Sequence, residues 1–168
     1  MFPLGHLGLG MQAAKPFRRG LPLAPILLGT LLPDALDKPL YYGLSLATGR
    51  HGPELGMIAG TRSFGHTLLF TAALGLAAAA RRSKILAALA LGCATHLLLD
   101  LTSDYFEWGI QRSIKTLLWP LMGWQFPFYA RVSMFDHFLR IREPVILVCE
   151  IAGVCLLAWE WRRARPAR

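Results

Sequence analysis

From Ile85 to Leu101 the chain reads ILAALALGCATHLLLDL, with no acid or base other than His96 before Asp100. Three more apolar runs accompany it, at residues 21–32, 66–80 and 144–161. Lipid offers the backbone no hydrogen-bond partners, and an α-helix satisfies its own polar groups within one segment. Composition points the same way. The chain is 54% hydrophobic and 17% charged, where soluble domains carry about a quarter charged residues. The expectation is an all-α integral membrane bundle of about four transmembrane helices, forming one domain over residues 1–168. A short helix in the N-terminal GHLGLGMQAA would precede them. Each run is somewhat shorter than the roughly 20 residues a span prefers, which puts residues at the run ends near the bilayer edge. Pro144 stands where helices start. Gly75, Ala78, Gly92 and Ala94 would let helices approach closely.

The net charge of +8 sits in clusters beside the apolar runs: Lys15, Arg18 and Arg19; Arg81, Arg82 and Lys84; Arg162, Arg163, Arg165 and Arg168. Cytoplasmic loops of membrane proteins carry bases in this way. The pattern argues against nucleic acid and for membrane lipids as partners. If the Arg81–Lys84 turn is cytoplasmic, all three clusters fall inside. The polar residues at the opposite run ends then face the extracytoplasmic side of a bacterial inner membrane, in a multi-pass chain. Residues 104–143 contain no clean span. Trp108, Trp119, Trp124, Phe126, Phe128 and Tyr129 are interleaved there with prolines and charges, as in an interfacial connection. Cys93, Cys149 and Cys155 lack metal-type spacing and read as small buried hydrophobes.

Against this apolar background the titratable residues form four groups. His6 lies in GHLGLG, Asp34 and Asp37 in LLPDALDKP, Arg62 and His66 in GTRSFGHTLLF, and His96 and Asp100 in THLLLDLTS. The i,i+3 and i,i+4 spacings let each pair share a helix face. Imidazoles and carboxylates together suit a divalent metal, zinc first, with manganese or magnesium as alternatives. Such an ion lowers the pKa of its water toward 7, which suits attack on an ester or phosphoester. His6, Asp34, His66, His96 and Asp100 are the metal-ligand candidates. Arg62 is the candidate to hold an anionic substrate group. Asp37 is a further ligand or orienting carboxylate. Thr67, Thr95 and Thr102 are candidate outer partners of the ligands.

Simpler readings stand beside these. His96 and Asp100 suit a hydrogen-bonded pair joining two helices, Asp34 and Asp37 a helix cap, and Arg62 a side chain snorkelling to the interface. His51, in GRHGPE, reads as solvated. Asp136 and His137 are adjacent and point apart on a helix, so one of them at most would join the site. Glu150, inside the last run, suits a pair with another helix or a polar path. Together with the intramembrane histidines and aspartates it supports an alternative: a non-enzymatic membrane component, either a small metal or proton transporter or an interaction scaffold.

The ordered set GH, LLPDALD, RSFGHTLL, THLLLDLTS and LLWP, over about residues 5–121, resembles a bacterial family of inner-membrane proteins described as metal-dependent hydrolases. The resemblance implies a small helical membrane protein with a metal site, and His6, Asp34, Asp37, His66, His96 and Asp100 match that family's polar positions. There are departures. The family's Asp-x-Asp-His is here Asp-x-x-Asp followed by Lys38. Its His-Arg-Gly is replaced by Thr61-Arg62-Ser63. With two histidines fewer, one metal is favoured over two. The expected function is a membrane-bound metal-dependent hydrolase whose substrate is a lipid or lipid-linked phosphoester.

Overall fold

The computed structural model describes residues 2–107, 109–128, 135 and 139–164. Every regular element among them is helical. The helices are α1 (Pro3–Ala14), α2 (Leu23–Gly29), α3 (Leu32–Thr48), α4 (Leu68–Ala80), α5 (Lys84–Glu107), α6 (Gln111–Leu117) and α7 (Pro144–Ala164). Short 3₁₀ turns occupy Gly52–Leu55, Phe64–His66 and Arg140–Arg142. Asp136, His137, Trp108, Tyr129, Arg165 and Arg168 lie outside the described residues.

Two helices, α5 and α7, are long and apolar enough to cross a membrane, and α4 is a shorter apolar helix. The run at 21–32 does not make one helix. It breaks at Thr30–Leu31, and Pro33 then sits in the first turn of α3, where its missing N–H costs nothing. Gly49, in the left-handed conformation (φ 68°), ends α3. The run at 85–101 in turn extends six residues beyond its apolar end, to Glu107. The added turns carry Ser103 and Asp104, both buried and both polar. His96 therefore lies near the middle of α5, ~18 Å along its axis from Lys84, and not at a helix end.

Packing is set by glycines. A Cβ on Gly92 would lie 2.7 Å from the Gly29 Cα, and one on Gly8 would lie 2.5 Å from the Gly153 Cα. Helices α2 and α5, and α1 and α7, thus touch backbone to backbone. Gly75 faces open space and Ala94 is exposed, so neither makes the close contact expected of it. Cys155 is likewise exposed, whereas Cys93 is buried. Ala14, Ile26 and Ala88 form a small core at the end of the bundle where α1 finishes and α5 begins. An ion pair between Lys15 and Glu160 ties the ends of α1 and α7 there. Outward faces of α4, α5 and α7 are apolar, with Leu69, Leu76, Leu98, Val148, Ile151 and Trp159 exposed. A soluble chain of this size rarely leaves such a belt in water.

Glu150 does not join a polar path. Its two carboxylate oxygens accept the backbone N–H groups of Phe2 (2.8 Å) and Leu4 (3.1 Å). It supplies the acceptors that the first turn of α1 lacks.

Candidate metal centre

Asp37 organises one wall of the centre. Its carboxylate accepts the backbone N–H groups of Ser63 (2.7 Å), Gly65 (2.9 Å) and His66 (3.2 Å), and the His66 ring through Nδ1 at 2.7 Å. Four donors on one carboxylate fold residues 63–66 into a tight turn around it. A Cβ at Gly65 would come 2.9 Å from the Pro33 carbonyl oxygen, so the turn requires glycine there. Burial alone would raise the Asp37 carboxyl; the His66 ring and the Gly65 and Ser63 amides outweigh it and hold it below the usual carboxylate range. Thr67 then caps α4, its hydroxyl oxygen accepting the Phe70 N–H at 3.0 Å.

The second wall is α5. His96 Nδ1 lies 2.7 Å from the Thr30 carbonyl oxygen, which only accepts. Nδ1 therefore donates to that carbonyl, and Nε2 is turned toward the centre. His66 Nδ1 faces a carboxylate and is committed in the same way. The two Nε2 atoms meet 3.2 Å apart. Around them stand Asp34 Oδ1, 3.5 Å from His66 Nε2, and Asp100 Oδ2, 3.5 Å from His66 Nε2 and 3.6 Å from His96 Nε2. Ligands about 2.0–2.2 Å from a tetrahedral ion are separated by about 3.3–3.6 Å. The two Nε2 atoms and Asp100 Oδ2 stand at nearly that spacing from one another, as Asp34 Oδ1 does from His66 Nε2. Imidazoles whose other nitrogen is tied to a carboxylate or a backbone carbonyl are the usual partners of a bound metal.

His6 completes the cluster from α1. Its ring stacks on His96 at 4.0 Å, and its Nε2 lies 3.5 Å from Asp100 Oδ1. Neither His6 ring nitrogen has a hydrogen-bond partner among the described residues, although the residue is fully buried. An orphaned buried imidazole is costly unless something binds it. His6, His96 and Asp100, and likewise Asp34, His66 and His96, bring their donor atoms within 4.8 Å of one another. The carboxylates of Asp34, Asp37 and Asp100 all stand within 3.5 Å of the His66 ring nitrogens. Such a nest of negative charge favours a cation, whether proton or metal. The donor set and its orphaned imidazole fit a divalent ion.

Arg62 is engaged by two carboxylates of α5. Its Nη2 lies 3.0 Å from Asp100 Oδ2, and its Nη1 donates to Asp104. Ser113 of α6 donates to the same Asp104 carboxylate. Asp104 thus belongs to the site although it falls in what reads as the connecting segment. Its i,i+4 spacing from Asp100, and i,i+8 from His96, is the signal that finds it. The outer threonines differ from expectation. Thr95 and Thr102 bond to their own helix carbonyls, and the residue touching His96 is Thr30. Lys38 pairs with Asp34 Oδ2 at 2.6 Å, leaving Oδ1 for the centre. Between Arg62, His66, Asp100, Ser113 and Thr116 lies a cavity of ≈ 20 Å³, room for about one water.

Apolar helices wrapped around a buried histidine–carboxylate nest define a helical membrane protein with a candidate metal centre. The chain belongs to the YdjM inner membrane protein family, which it matches over residues 1–166. That description carries the membrane location and no activity. No curated protein and no solved structure matches the chain.

Proposed function

We propose that the protein is a multi-pass inner-membrane metal-dependent hydrolase acting on a phosphoester or ester, with its centre toward the extracytoplasmic side. The observation that carries this reading is the pair of Nε2 atoms 3.2 Å apart, each on a ring whose Nδ1 is already committed. His66, His96, Asp34 and Asp100 would hold the ion, with His6 as the further ligand. Zinc suits this set best, and manganese or magnesium are alternatives. When bound, such an ion supplies Lewis acidity and a water acidified toward neutral pH.

The protein's own groups do the rest. Asp37 fixes the His66 ring and its tautomer. Arg62 holds Asp100 in register and, with Asp104, balances the charge of the nest. The small cavity beside Arg62 and Ser113 admits water next to the carboxylates. A larger reactant would enter by displacing Arg62 from Asp104, which frees a guanidinium to bind an anion bidentately. The transport alternative loses support, because the Glu150 carboxylate is spent on the α1 amides.

Metal analysis of the purified protein tests the reading. One divalent ion per chain is expected in the parent and its loss in His96→Ala. A parent with no stoichiometric metal after growth in metal-replete medium would overturn it. Phosphate release from lipid phosphoesters, abolished by a chelator and restored by zinc or manganese, tests the hydrolase assignment separately.

A further inference from the structure

Helix α6 has two working faces. Ser113, Thr116 and Leu117 border the small cavity of the metal centre. Gln111, Arg112 and Lys115 border a second and much larger cavity of ≈ 490 Å³, within the range of ligand pockets. Its lining has, among the described residues, two cations and two amides, from Gln111 and Gln125, and no carboxylate. Among the described residues neither Arg112 nor Lys115 forms an ion pair, and both side chains are exposed. The aromatic wall is preformed. Phe126 is buried, its N–H donates to the Met57 carbonyl at 3.2 Å, and its ring packs 5.2 Å from those of Phe64 and Trp119. On the chain just before Gln125, Leu121, Met122 and Trp124 are all exposed. Exposed apolar and tryptophan side chains of this kind sit at the membrane interface.

We propose that this cavity binds the phosphate-bearing headgroup of an anionic lipid, with the acyl chains leaving over Leu121, Met122 and Trp124. A guanidinium and an ammonium in a lining whose described residues include no carboxylate match a phosphate, the guanidinium by paired hydrogen bonds. The two glutamine amides add neutral donors. The apolar rim explains why the ligand is a lipid and not a soluble phosphate. The inference stands on this cavity alone and needs no metal at the histidine centre.

Binding of a fluorescent phosphatidic acid to the detergent-purified protein, read by anisotropy, tests it. Arg112→Gln/Lys115→Gln is expected to weaken binding at least about tenfold, while Arg112→Lys/Lys115→Arg, which keeps both charges, retains it. Treatment with a chelator should leave the affinity unchanged, which separates this site from the metal centre. A phosphatidylcholine with the same chains should bind no better to the parent than phosphatidic acid does to the glutamine variant. Undiminished binding by the folded glutamine variant would overturn the proposal. So would equal binding of phosphatidylcholine, or displacement by inorganic phosphate at the lipid's own concentration.

Discussion

Two carboxylates three residues apart do different work on one imidazole. Asp37 takes His66 from the Nδ1 side and Asp34 approaches it from the Nε2 side. Exchanging each for its amide separates the roles. Asp37→Asn keeps the ligands but loosens the ring that presents one of them, so metal affinity is expected to fall about 10–100-fold, measured against a chromophoric chelator. Asp34→Asn removes a donor directly and is expected to cost more. Equal affinities in all three proteins would show that neither carboxylate addresses a metal. Asp34, His96 and Asp100 were legible as candidates because their i,i+3 and i,i+4 spacings lie on α3 and α5, whereas the Arg62–His66 spacing falls on a 3₁₀ turn and not on a helix. Thr30 was not legible, since it contributes a backbone carbonyl that no side-chain pattern announces. The partners of Arg62 were not legible either: Asp100 and Asp104 lie on α5, about forty positions away, whereas Arg62 stands just before the Phe64–His66 turn.

Helix boundaries were harder to read than helix existence. LTSDYFE looks like the end of a span, because its polar residues break the apolar run. Inside the protein Asp104 finds partners in Arg62 and Ser113, on other segments, and α5 continues. The glycine contacts were half legible: Gly92 is a true crossing point and Gly75 is not, a distinction made only by where the neighbouring helix lies. Gly8→Ala places a methyl into the Gly153 backbone and is expected to destabilise by about 1–3 kcal/mol, read as a lowered thermal midpoint in detergent. Gly75→Ala, with open space around it, should leave that midpoint unmoved or slightly raised. Equal effects would mean that α1 and α7 do not cross at these glycines. Glu150→Leu leaves the Phe2 and Leu4 amides without acceptors. Their hydrogen exchange is expected to quicken while that of α5 amides holds.

At the scale of the whole molecule, the ends of α1 and α7 and the start of α5 bring the basic clusters together, with the histidine nest displaced toward the other end. The orientation this implies is testable with reporter fusions. A reporter after Ser83 is expected in the cytoplasm, and one after Leu117 on the opposite side. Both reporters on one side would refute the proposed crossing. Class and membrane character were visible from apolar runs alone. The tertiary arrangement was not, because α1 meets α7 through residues about 145 positions apart.

That last contact bears on how the protein is made. The helix carrying His6 takes the acceptors for its first amides from Glu150, so chain made early depends on chain made much later. Until α7 is made, those two amides of α1 lack the carboxylate that accepts them. A chain truncated before Pro144 is therefore expected to present His6 on a helix that lacks both its Glu150 acceptors and its Gly153 crossing.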